Sequence, residues 1–96
     1  MMVATGENLA QGRAGSRGDV DFYGAAWCGD CRRSKACLDR LGVSYRYHDV
    51  ESEEGAAEEA ERISGLKHIP VIRLGDGSVL VEPSDTQLAS ALGLEV

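Results

Sequence analysis

A chain of 96 residues, 43% of them hydrophobic, has material for one small domain with its own core. Its net charge of −6 and pI near 4.8 argue against nucleic acid or an anionic membrane as a partner. No apolar run approaches the roughly 20 residues of a membrane helix, and the start lacks the apolar centre of a secretory signal, so a cytoplasmic protein is expected.

In chain order, residues 1–18 are rich in Gly, Ala, Ser and Arg without an apolar period, and a flexible N-terminal tail is expected there. A single domain is expected over 19–96. "DVDFYG" reads as a short buried strand ending at Gly24. "AAWCGDC" is a connection, and "CRRSKACLDRLG" carries helical spacing at Cys31, Ser34, Cys37, Leu38 and Leu41, stopped by Gly42. "VSYRYHDV" alternates from Val43 as a second strand. "ESEEGAAEEAERISG" reads as an acidic surface helix closed by Gly65. Val71 to Leu74 and Ser78 to Val81 form two strands joined across "GDG". "PSDTQLASALGL" is a final helix whose Ser84 and Gln87 make a capping box.

The order βαβαββα implies a parallel pair followed by an antiparallel hairpin. The expected fold is α/β: a thioredoxin-like four-stranded mixed sheet with three helices on its two faces.

The chemistry gathers at "WCGDC". Three unevenly spaced cysteines do not make a secreted disulfide framework, and a Cys-x-x-Cys pair in a reducing compartment serves redox or metal chemistry. A zinc site wants four ligands, and Cys37, His48 and His68 stand at no familiar zinc spacing, so no metal is expected. A structural disulfide across so short a loop adds little. That leaves redox use. Cys28 lies at the strand-to-helix junction, where unpaired N–H groups and the helix dipole favour a thiolate. Cys31 follows one turn later, with its sulfur directed back toward the helix start. Cys28 is thus the attacking residue and Cys31 the resolving one. Asp30 opposes a thiolate, while Arg32 and Arg33 favour it. Trp27 offers partners an apolar surface beside the pair. Cys37 reads as a small buried residue, and the alternative is a peripheral thiol.

"KHIPV" supplies the second half of the site. Pro70 before a strand suits either a cis X-Pro turn or an ordinary trans proline. In this topology the loop faces the first helix, so Ile69 could offer its backbone to an extended partner. Arg32, Arg33, Lys35, Arg40 and Lys67 gather toward this end and could steer an anionic partner to Cys28. The seven acidic residues from Asp49 to Glu61 read as a solvated face.

"WCGDC" after a strand, "HIPV" further on, and "GDGSVLVEPSDTQL" together resemble the glutaredoxin family, from Val20 to about Leu92. Within it the chain is most similar to mycoredoxins, the actinobacterial branch that works with mycothiol. The resemblance implies a thiol–disulfide oxidoreductase in which Cys28 attacks mixed disulfides between client proteins and a low-molecular-weight thiol, mycothiol or glutathione. It implies a cis Pro70, contact of the thiol with Ile69, and a polar contact with Ser84 and Asp85. It also implies a monomer with no tightly bound cofactor, drawing electrons from a small thiol or a flavoprotein reductase. Four features depart from the family's usual pattern. Ala25 and Ala26 replace a basic residue, Pro83 and Ser84 replace a Gly-Gly pair, His68 replaces a hydroxyl residue, and Asp30 replaces an uncharged one. His68 reads as a solvated loop histidine. Two alternatives stay open: a thioredoxin-reductase-dependent donor, for example to ribonucleotide reductase, which needs Cys31, and an iron–sulfur carrier ligated by Cys28 of two chains and two small thiols.

Overall fold

The computed structural model describes residues 19–94, so the expected tail over residues 1–18 lies outside the described residues. Strand β1 (Val20–Gly24) is the hub of the molecule, with every residue buried. It pairs in parallel with β2 (Tyr45–Asp49) and antiparallel with β3 (Val71–Arg73), which in turn pairs antiparallel with β4 (Val79–Val81). The sheet order is β2-β1-β3-β4. A central strand covered on both faces has no solvent side, so Val20, Phe22 and Tyr23 are all buried, with Asp21 the one charged residue among them.

Helices α1 (Gly29–Arg40), α2 (Ala56–Ser64) and α3 (Asp85–Ala91) complete the βαβαββα order. On one face Cys31, Cys37 and Leu38 of α1 and Leu88 of α3 pack with Val20, Phe22 and Ile72. On the other, Ala56 and Ala60 of α2 pack with Tyr23 and Val71. Small residues on α2 let its backbone lie close to the sheet. Among the described residues no helix is long and apolar enough to cross a membrane.

Several element ends differ from expectation, each for a local reason. The second strand starts at Tyr45, because the Val43 N–H bonds to the Leu38 carbonyl (2.9 Å) and closes α1 past Gly42 at φ 74°. The acidic helix starts at Ala56, five residues after Glu51. Asp49 diverts the chain first: its carboxylate takes the Glu51 N–H at 2.8 Å and its carbonyl takes the Glu53 N–H at 2.8 Å. The hairpin strands are one residue shorter at Leu74 and Ser78, whose backbones bond across the turn at 2.8 Å. The final helix has both halves of its capping box, Ser84 Oγ accepting from the Gln87 N–H and Gln87 Oε1 from the Ser84 N–H.

Candidate active site

The site begins where β1 stops. The chain turns on a Cys28 N–H to Ala25 carbonyl bond of 3.2 Å, and Cys28 becomes the N-cap of α1 with extended dihedrals (φ −82°, ψ 113°). Its Sγ accepts the Cys31 N–H at 3.2 Å, so sulfur stands where a serine or aspartate oxygen usually caps a helix. Cys28 is 9% exposed and Cys31 0%, so of the two only Cys28 keeps any exposed surface. Both thiols are free. Burial, followed by the hydrogen bond with Cys28, pushes the Cys31 thiol up to about 12. Cys31 fits here because residue 24 is glycine: a Cβ there would lie 2.9 Å from its Sγ and 2.9 Å from the Phe22 ring.

Trp27 projects from the turn and is 64% exposed. Its indole N–H donates to Glu51 Oε2 at 2.6 Å. The ring walls a cavity of about 400 Å³ lined by Val50, Ala57 and Ala60, by Glu61, and by Leu66 to Ile69. The Ile69–Pro70 peptide is cis, and Pro70 is buried, with its carbonyl accepting the Glu82 N–H at 2.9 Å. Trp27 and Ile69 thus share one groove, which also reaches Ala57, Ala60 and Glu61 of α2, and Ile69 packs against the core cluster that contains Cys28. Val50, Ala57, Ala60 and Glu51 were not foreseen. Alanines on an acidic helix look like spacing residues, and no local pattern links Glu51 to a tryptophan 24 positions earlier.

Ser84 and Asp85 do not line this groove. Ser84 is engaged in its capping box, and Asp85 in ion pairs with Arg33 and Arg40, the latter at 3.3 Å. Arg33 also holds Asp30 at 2.7 Å and the Pro83 carbonyl at 2.8 Å, joining the first turn of α1 to that of α3. The opposing charges expected around Cys28 therefore largely cancel in the Asp30–Arg33 pair. Most of the basic neighbourhood is similarly committed. Arg32 turns back onto the Ala26 carbonyl at 2.7 Å, and Lys35 lies 4.1 Å over the Tyr47 ring. His68 is half-exposed and pairs with Glu82 at 3.4 Å. Cys37 is fully buried in the core, and burial raises its thiol above the ordinary value. Among the described residues no three His, Cys, Asp or Glu side chains gather as a metal site.

Comparison with known proteins places this geometry. A profile of the glutaredoxin family matches residues 20–79, more than half of the chain. A candidate glutaredoxin of Mycobacterium tuberculosis is 32% identical over 74 residues, covering 76% of this chain and 88% of the relative. Among solved structures, the glutaredoxin of Methanosarcina mazei Go1 superposes with a TM-score of 0.72 at 30% identity, covering 81% of each chain. The methanoredoxin of Methanosarcina acetivorans gives 0.73 at 29% identity, covering 81% of this chain and 87% of its own.

Proposed function

Because the chain belongs to the glutaredoxin family and is a thiol–disulfide oxidoreductase, we propose that Cys28 attacks mixed disulfides between client proteins and mycothiol. The observation behind this reading is the contrast within the pair: a capping, solvent-reachable Cys28 against a sealed Cys31. The Cys28 sulfur accepts the Cys31 N–H at the N-terminal end of α1.

The thiolate displaces the client's sulfur, which leaves as thiolate and takes a proton, and a Cys28–mycothiol disulfide forms. A second mycothiol then attacks that disulfide, restoring Cys28 and leaving oxidised mycothiol. A flavoprotein reductase supplies the two electrons that return it to the thiol. Resolution by the small thiol follows from Cys31's burial, which keeps it protonated near neutral pH and leaves it a poor nucleophile. The Cys28 contribution to that shift disappears once Cys28 is in a disulfide, but the larger contribution, burial, remains.

Trp27, Ile69 and Pro70 would seat the small thiol beside Cys28, with Ser84 and Asp85 meeting a polar group of it. Mycothiol rather than glutathione is favoured by Ala25 and Ala26 in place of a cation, and by the pairing of Arg33 and Arg40 with carboxylates. The reading places a working monomer in the reducing cytoplasm.

Two assays following NADPH test this. One contains mycothiol, its reductase and a mycothiol mixed disulfide, and the other thioredoxin reductase alone. Turnover in the first is expected to vanish in Cys28→Ser and survive in Cys31→Ser. Turnover only in the second, lost in Cys31→Ser, would overturn the mycothiol reading in favour of a thioredoxin-reductase-dependent donor.

A further inference from the structure

We propose that Glu51, clasped to Trp27, is a specificity-determining residue that selects against anionic small thiols and favours neutral or cationic ones. This rests on Cys28 being the attacking residue and deepens that reading by naming the class of thiol the groove accepts.

The argument is one of charge and place. Trp27 is the residue before Cys28 and forms a wall of the groove. Its indole N–H binds Glu51 at 2.6 Å, which fixes a carboxylate against the tryptophan that walls the groove and precedes the reactive cysteine. A second carboxylate, Glu61, lines the groove further along. Lys67 is the one lysine or arginine among the lining residues, and His68 beside it is paired with Glu82. The arginines of α1 do not restore the balance. Arg33 and Arg40 face Asp30 and Asp85, and Arg32 faces the Ala26 carbonyl outside the groove. The rest of the lining is Val50, Ala57, Ala60 and the apolar parts of Trp27, Leu66 and Ile69. A thiol carrying carboxylates would bring them to Glu51 and find one lysine to receive them. A hydroxylated or amine-bearing thiol meets an aromatic face and a carboxylate acceptor.

The experiment uses chromogenic mixed disulfides of one nitrothiobenzoate with cysteamine (cationic), 2-mercaptoethanol (neutral) and 3-mercaptopropionate (anionic). Cys28 attacks the alkyl sulfur, the aryl thiolate leaves and is followed by its absorbance, and the small group stays on Cys28. Second-order rate constants are measured for the reduced protein at low ionic strength and divided by that of the neutral probe. This division removes any change in the reactivity of the sulfur itself. The wild type is expected to prefer the cationic over the anionic probe. Glu51→Gln keeps an acceptor for the indole N–H but loses the charge, and is expected to shrink that preference by lowering the cationic and raising the anionic rate, each about fivefold relative to the neutral probe, the effect of one unit charge a few ångströms away. Added salt should shrink it more in the wild type than in the variant. Glu61→Gln, unattached to Trp27, should change it less. An unchanged cationic-to-anionic ratio in Glu51→Gln overturns the proposal. Release of no aryl thiolate from any probe, or equal release by Cys28→Ser, overturns instead the assignment of Cys28.

Discussion

At the scale of single residues the reactive pair is shaped by what is missing at position 24. Gly24 ends a central strand, and its lack of a side chain lets the Cys31 sulfur rest against the strand. Both atoms that a new methyl would meet, Cys31 Sγ and the Phe22 ring edge, are buried and cannot swing aside. Gly24→Ala should therefore cost about 1–3 kcal/mol by overpacking, lowering Tm by at least about 4 °C in a domain of this size. Thermal unfolding followed by circular dichroism measures this, and an unchanged Tm would show that Cys31 relocates freely. The same burial sorts the three thiols by reactivity. In the native reduced protein at neutral pH, iodoacetamide should label Cys28 first, with Cys31 and Cys37 reacting only on unfolding. Mass spectrometry of a time course decides it: early label on Cys37 would mean that the core opens locally around α1.

At the scale of elements, what was legible from sequence was local. The Ser84–Gln87 capping box and the Gly42 stop are patterns within a few residues, and both stand in the structure. The early start expected for α2 failed because helix-compatible glutamates at 51, 53 and 54 follow Asp49, whose turn outcompetes them. Tertiary roles were hidden for the same reason. Arg33 looked like a neighbour of Cys28, yet it ties α1 to α3 through Asp85 and the Pro83 carbonyl. The cap also bears on the role of Ser84. A capping serine replaced by alanine loses about 1 kcal/mol. Ser84→Ala should lower the urea midpoint by a corresponding amount. If Ser84 also contacts the thiol cosubstrate, KM should rise beyond what the lost stability explains. A variant of normal stability would mean that α3 is held by Arg33 and its core contacts rather than by its cap.

At the scale of the whole molecule, the sheet carries a polar network whose members come from three strands, the segment after β2 and helix α2. Asp21 on β1 is buried and receives Arg46 at 2.8 Å, His48 at 3.0 Å and Arg73 at 3.2 Å. His48 stacks on Tyr23 and uses its other ring nitrogen on Glu53 at 2.9 Å, while Glu59 lies 3.6 Å from Arg73. Such a cluster was invisible as a sequence pattern, because register alone brings Asp21 opposite Arg46 and Arg73. Its consequences appear as pH dependence of stability. The Arg46 hydrogen bonds, with those of His48 and Arg73, hold the Asp21 carboxyl far below its usual 3.8 despite its burial. A depressed carboxyl contributes stability that is present above the usual value and is lost as pH falls through the folded one. Burial disfavours charge on His48, but the Asp21 and Glu53 carboxylates outweigh it and raise the imidazole above 6.5. That contribution is present below 6.5 and is lost as pH rises through the folded value. Asp21→Asn should thus cost about 2 kcal/mol at neutral pH, with the gap to wild type narrowing in strong acid. His48→Gln should differ most from wild type in mild acid and converge with it in mild alkali. Urea midpoints measured across that range test both, and parallel curves for wild type and His48→Gln would show that the imidazole stays neutral between its two carboxylates.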